Sequence, residues 1–348
     1  MPADDSRTPL CPVRLSVFSV MDHYPDRDRS IAEFYRQVLE QCQLADSLGY
    51  DSFWVAEHHF HEYGVVTNPA LFLAAAAACT TRIKLGPAIA VLPFRDPLLC
   101  AEDYASLDLI SGGRLIMGVG SGYLAHEFAG FGVEGKDKRE RFDEALSVIR
   151  GLWTGATMDF AGKFSRVNKV ALNVTPLQRP APPIFVAALR PEACYHIGRQ
   201  GHGLMVVPYA SVDERLEIAN MIEDYQRGAA EGGHGQTPGV LVALHAHVAE
   251  SDRAARDAAL AAFNRYRDTR LYAKSHKSYD EVITAGLGLF GAVETVVEQL
   301  AQMHALGVGH VLLLKNFGAL DHHQVVTSMR RFAGEVRPRL AARLVSAT

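Results

Sequence analysis

Glu57-His58-His59-Phe60-His61 crowds a carboxylate and three imidazoles into five residues, directly after the apolar, aromatic run Ser52-Phe53-Trp54-Val55-Ala56. A buried strand that delivers such groups at its carboxyl end is how α/β barrels place chemistry, because their active sites collect at that face. Imidazole titrates near neutrality and can take or give a proton. The same residues on an ordinary surface loop would do nothing, so this reading requires further strand–helix units elsewhere in the chain. A zinc helix is not spelled here: His61-Glu62 begins an HExxH, but Val65 stands where its second His belongs.

Other candidates are weaker alone. Gly118-Val119-Gly120-Ser121-Gly122 is glycine-rich and lets backbone approach a ligand. It is neither a GxGxxG fingerprint nor a phosphate loop, and Ser121 lacks the spacing of a GxSxG elbow. Arg190-Pro191-Glu192 reads as a helix start. A cation beside open N–H groups makes an anion site there, with a salt bridge to Glu192 as the plain alternative. His245 and His247, two apart, share a strand face and are candidates to line the barrel interior, although histidines so placed are more often structural.

The elements that must position these groups alternate regularly. Strands are expected at Val13–Val20, the Ser52 stretch, Ile83–Leu92, Arg114–Val119, Pro183–Ala188, Gly203–Val207, Val240–Val248 and Gly309–Leu314. Helices follow them, at about Ile31–Leu48, Asn68–Cys79, Leu98–Ile110, Lys138–Trp153, Arg190 onward, Val212–Ala230, Ser251–Tyr266, Ala292–Leu306 and His322–Leu344. Eight strand–helix units make one (β/α)8 TIM barrel, with residues 13–348 as a single domain and 1–12 as a flexible N-terminal segment. Thr154–Pro183, with four prolines, is an excursion before strand five that holds a small hairpin. Arg267–Gly288, after strand seven, is polar and long for a connection, which suits a lid carrying Arg270, Lys274 and His276. The Ala-rich Pro69–Cys79 helix permits close helix–helix approach, as between subunits.

Composition narrows the partners. The 348 residues are 48% hydrophobic and carry a net charge of −4 without a basic block, which points away from nucleic acid and anionic membrane. Five scattered cysteines without a CxxC pair fit free thiols in a reducing cytoplasm. No apolar run is long enough to span a bilayer, and the first twelve residues lack the apolar core of a signal peptide.

Val55-Ala56-Glu57-His58-His59-Phe60, Glu62-Tyr63-Gly64 and Asn68-Pro69 resemble the bacterial luciferase-like family of flavin-dependent monooxygenases. Leu107-Asp108-Leu109-Ile110-Ser111-Gly112-Gly113-Arg114 is similar to its LDxxSxGR segment. Gly118–Tyr123 with Glu127-Phe128 and Phe131-Gly132, and Ser328–Phe332 near the end, extend the likeness in register from about Val13 to Pro338. The resemblance implies a usually dimeric TIM barrel, here a homodimer, that binds reduced FMN (FMNH2) or, in one branch, F420 at its carboxyl face. The EHHF form is closer to the FMN branch. By the same resemblance His58 matches the catalytic acid/base around the flavin C4a-peroxide, and Glu57 lies near the flavin. Ala88-Ile89 falls where luciferases carry a non-prolyl cis peptide, and Ser121 and Tyr123 match neighbours of the flavin phosphate.

The sequence also departs from the light-emitting members. Gly120 replaces a reactive Cys, Ser121 an Arg, Leu189-Arg190 a Glu-Ser pair and Ala193 a phosphate-binding Thr, so Arg190 is expected to carry the phosphate charge. Light emission and a long-chain aldehyde substrate are thereby put in doubt. The implied activity is a two-component monooxygenase. It would take FMNH2 from a separate flavin reductase and insert one atom of O2 into a small organic substrate. The alternatives are F420-dependent hydride transfer on the same barrel and a non-catalytic flavin-binding partner subunit.

Overall fold

The computed structural model describes residues 11–269 and 276–346. Most of the expected N-terminal segment, and Arg270 and Lys274 of the expected lid, lie outside them.

The strands run β1 Arg14–Ser19, β2 Ser52–Val55, β3 Lys84–Pro87, β4 Ala90–Val91, β5 Met117–Gly120, β6 Met158–Ala161 and β7 Arg166–Val170. They continue as β8 Ile184–Ala188, β9 Gly203–Val206, β10 Val240–Val248, β11 Gly288–Gly291 and β12 His310–Lys315. All but β6 and β7 form one parallel sheet in the order β3-β2-β1-β12-β10-β9-β8-β5-β4, with β11 added beside β10. It is a nearly closed TIM barrel. The expected strand at Ile83–Leu92 is two pieces: β3 pairs with β2 and β4 with β5, so the chain changes partner between them. The Ala88–Ile89 peptide at that change is cis. The excursion before β8 holds the expected hairpin, with β6 antiparallel to β7.

Helices α1 Ile31–Ser47, α2 Pro69–Ala78, α3 Pro97–Ile110, α4 Ala125–Gly130 and α5 Lys138–Trp153 cover the first half. Their starts are written locally. Ser30, Asn68 and Asp96 accept hydrogen bonds from first-turn N–H groups, and Pro69 and Pro97 fill positions where no N–H is needed. In the second half come α6 Ala193–Arg199, α7 Pro208–Ser211, α8 Glu217–Glu231, α9 Asp252–Thr269, α10 Tyr279–Thr284, α11 Val293–Ala305, α12 His322–Arg331 and α13 Arg337–Val345. The helix expected from Val212 starts at Glu217, because Pro208 first forms its own short turn. Of the stretch expected as a lid, the described residues include the end of α9, which runs on to Thr269, and a Ser278–Glu281 capping box that starts α10 before β11.

Inside the barrel, Trp54 is fully buried and meets Phe185 edge to face at 6.3 Å. A Cβ on Gly86 would stand 2.4 Å from the Trp54 ring, so that glycine is needed for space. The Leu107–Arg114 segment has a structural task. Arg114 donates to Ala77 O, Thr80 O, Thr80 Oγ1 and Ile83 O, tying the end of α2 to the start of β5. Among the described residues no helix is long and apolar enough to cross a membrane.

Candidate active site

β2 ends at Val55, and His58 N–H then donates to Val66 O (3.0 Å), turning the chain back over the barrel mouth. His58 is buried there. Its Nδ1 lies 3.1 Å from Glu127 Oε1, and the same oxygen accepts the His59 N–H at 2.9 Å. Burial of Glu127 works to raise its pKa, but the hydrogen bond and charge of His58 and the His59 N–H hold it below the ordinary carboxylate value. An ionised Glu127 can only accept. Nδ1 therefore carries a hydrogen toward Glu127, and Nε2 is the ring nitrogen left to take or give a proton.

Glu57 turns the other way. Its carboxylate accepts from Val91 N–H (3.2 Å) and Arg95 Nε (3.2 and 3.3 Å), and His59 Nε2 lies 3.1 Å away. It thus fastens the β4 segment to the end of β2. The His58 ring packs on Tyr63 at 4.5 Å and on Tyr123 at 6.2 Å. A Cβ on Gly64 would come within 2.8 Å of His58 Cδ2, so a side chain there would push the imidazole away.

These residues open on a cavity of about 400 Å3 at the carboxyl ends of the strands. Glu57, His58, Ala88, Ile89, Gly120, Ser121, Tyr123, Leu189 and Arg190, the residues singled out from the sequence, all line it. Ala88, Ile89, Gly120 and Ala187 form an apolar wall. Lys138, Arg139 and Arg190 line it as well, close enough for their charges to act on one another. Lys138 opens α5 and donates to Gly122 O at 3.3 Å. Partial burial lowers its pKa, and the charges of Arg190 and Arg139 lower it further. Three crowded cations beside backbone N–H groups would be relieved by an anion.

Some expectations are corrected. Arg190 does not start a helix: α6 begins at Ala193, after a turn through Pro191 and Glu192, so its guanidinium reaches the cavity from a loop. His245 and His247 do not line the cavity. His245 is fully buried among Tyr209, Phe263, Tyr266 and Phe317. His247 is buried beside Lys315, and its pKa falls to about 3 through burial first and that charge second. Glu127, Lys138, Arg139, Arg95 and Tyr266 were not singled out in the sequence. Glu127, Arg95 and Tyr266 meet their partners across tens of residues, and Glu127 appeared only as a letter of a motif.

A family model described as luciferase-like monooxygenase matches residues 13–310, and the chain belongs to that family. The oxygenase component of the flavin-dependent trigonelline monooxygenase of Acinetobacter baylyi is 26% identical over 94% of this chain and 95% of its own. An F420-dependent glucose-6-phosphate dehydrogenase of Amycolatopsis mediterranei is 32% identical over 49% of this chain and 53% of its own. The chain spans only 57% and 63% of the length of two further curated relatives from Sinorhizobium fredii. Among solved structures, monooxygenase RslO1 of Streptomyces bottropensis superposes with a TM-score of 0.88 at 30% identity, covering 94% of this chain and 100% of that one.

Proposed function

We propose that the protein is the oxygenase of a two-component, FMNH2-dependent monooxygenase that places one atom of O2 into a small organic substrate. The observation that carries this reading is His58, held through Nδ1 by Glu127 in the wall of a cavity that Lys138, Arg139 and Arg190 also line. The donor set fits FMN: Lys138, Arg139 and Arg190 would hold its phosphate, and Ala88, Ile89, Gly120 and Ala187 its ring. Bound reduced flavin supplies the electrons that activate O2. The chain binds and orients the ring, excludes water through its apolar wall, and moves a proton at His58 Nε2. The full-length trigonelline oxygenase relative supports a separate reductase as partner.

Anaerobic titration with reduced FMN and, in parallel, reduced F420, followed by admission of oxygen, tests the reading. Preferential binding of reduced FMN with slowed reoxidation is expected. Preferential binding of reduced F420 without oxygen uptake overturns it in favour of hydride transfer, the activity of the F420-dependent relative.

The same reading includes a homodimer through α2 and α3. Helix α2, PALFLAAAAA, has no polar side chain, yet Leu71 is 72% exposed, and on α3 Leu99 is 62% exposed. An apolar helix face left in water needs a cover. Light scattering on Leu71→Asp and Leu99→Asp variants would show monomers where the parent chain shows dimers.

A further inference from the structure

One guanidinium stands behind two parts of the active-site wall. Arg95, shortly before α3, lies outside the cavity lining, and its side chain is 16% exposed. Its Nε lies 3.2 and 3.3 Å from the two oxygens of Glu57, and its Nη2 donates to Thr67 O at 3.3 Å. Glu57 in turn accepts the Val91 N–H at 3.2 Å. At the start of the same segment Ala88 N–H donates to Val55 O at 2.7 Å. The Ala88–Val91 wall is therefore fixed to the end of β2 twice, by a backbone carbonyl and by the Glu57 side chain.

The other part is the histidine turn. His58 N–H is held by Val66 O, one peptide before the Thr67 carbonyl that Arg95 grips. A second route runs from Glu57 Oε1 to His59 Nε2, and from the His59 N–H to Glu127, the partner of His58 Nδ1. Arg95 thus reaches both the backbone and the ring of His58 through bonded neighbours. A guanidinium spreads its donors over a rigid fork, whereas an ammonium presents them from one atom and does not match this set of acceptors. Both oxygens of the buried Glu57 are committed to these bonds.

We infer that Arg95 is a positioning residue for the reaction: through Glu57 and Thr67 it sets the wall that takes the flavin ring and the turn that carries His58. The inference rests on the flavin reading for what the wall receives, while the clamp itself is measurable without cofactor.

The test compares the full-length parent with Arg95→Lys and with a double variant, Glu57→Gln plus Arg95→Met, which leaves no buried charge unpaired. Hydrogen exchange followed by mass spectrometry comes first, on protein free of flavin. The amides of His58 and Val91 are expected to exchange about tenfold faster in both variants, because the local structure that protects them opens more often. The β10 amides should keep the parental rate and report an intact fold. Riboflavin and FMN are then titrated. Both should bind about tenfold more weakly in both variants, and by one common factor, since the ring wall is disturbed and the phosphate contact is not. Parental riboflavin affinity in the double variant would mean that Arg95 only neutralises Glu57, and it overturns the inference. Unchanged exchange at His58 and Val91 does the same. If the parent binds no flavin, the flavin reading fails and takes the ring-wall half with it, and the exchange rates decide the His58 half. If Arg95→Lys does not fold, the double variant decides.

Discussion

Two buried polar networks lie at opposite ends of one barrel, and each sets a histidine beside a carboxylate. At the amino-terminal end Ser16 Oγ bonds Ser52 Oγ (2.6 Å) and His310 Nε2 (2.7 Å), Trp54 Nε1 donates to Ser52 Oγ, and Asp51 stands 3.6 Å from His310. At the carboxyl end His58, Glu127, His59, Glu57 and Arg95 are linked. A serine, a histidine and an aspartate in contact look like nucleophilic machinery, yet the floor cannot act as such. Ser16 and Asp51 approach the same nitrogen of His310, so no proton passes through the ring from one to the other. Trp54 and its neighbours seal the group from the cavity. The mouth differs in access: Glu127 takes one nitrogen of His58 and leaves the other facing 400 Å3 of open space. A histidine beside a carboxylate does not separate the two networks; place along the strand does.

The strongest way to break that contrast is a pair of substitutions. His58→Ala should lower turnover by about 10²–10⁴-fold, the range for a lost general acid–base, with the urea midpoint little changed. His310→Ala should do the reverse. It leaves Ser16 short of a partner in a buried floor, and about 2–4 kcal/mol of stability should go while FMN affinity holds in the folded fraction. Steady-state turnover and urea unfolding on both variants check this. A large turnover loss in folded His310→Ala would erase the distinction.

Glu127→Gln comes next. It keeps the shape but removes the charge that fixes the His58 tautomer, and about 10–10²-fold in turnover should be lost. The pH–rate profile should move with it, because a carboxylate favours the protonated ring and an amide does not. An unchanged profile would reduce Glu127 to packing.

Acid sharpens the contrast at the level of the whole fold. His202, His247 and His310 have pKa values lowered to about 4, 3 and 3, in each case chiefly by burial. A histidine with a lowered folded pKa binds fewer protons than its unfolded form, so it costs stability as pH falls below 6.5 toward its folded value. Asp22 acts in the opposite sense. Its pKa is raised by burial to about 6, so the folded state binds more protons than the unfolded one between about 3.8 and 6. Asp143, raised by burial, acts with Asp22, whereas Glu127, Asp46, Glu144 and Asp252, all held low by hydrogen bonds, act with the histidines, and urea midpoints should fall from pH 6.5 to pH 4. The fall should be smaller in a His247→Gln variant.

Much of this molecule is legible in its sequence because the signals are local. Alternating apolar runs, the Ser30, Asn68 and Asp96 caps and the Pro–Gly breaks are read within a few residues, and they place the barrel and the EHH turn at its mouth. What could not be read is pairing across distance. Glu127 is 69 residues from His58, Arg95 is 38 from Glu57, and Tyr266 is 203 from Tyr63. No periodicity carries such contacts. The break between β3 and β4 was hidden for a related reason: apart from Lys84, Ile83–Leu92 carries no polar side chain, and the change of neighbour from β2 to β5 divides it. His245 and His247 show the converse error, since a shared strand face does not say whether that face meets a cavity or a packed helix.

The smallest expected effect concerns the cations of the cavity. Arg190 and Arg139 are exposed and Lys138 is partly so, so water already screens them, and each contact to a phosphate should contribute modestly. Arg190→Ala should weaken FMN about threefold to tenfold, with a loss that shrinks as salt rises. Riboflavin, which lacks the phosphate, should bind parent and variant alike. Because Lys138 is held below its ordinary pKa by burial and by Arg190 and Arg139, the phosphate should draw a proton onto it, and FMN affinity should drop at alkaline pH. If riboflavin affinity falls as far as FMN affinity in Arg190→Ala, the guanidinium is shaping the wall rather than holding the anion. The phosphate would then have to lie elsewhere along the cavity.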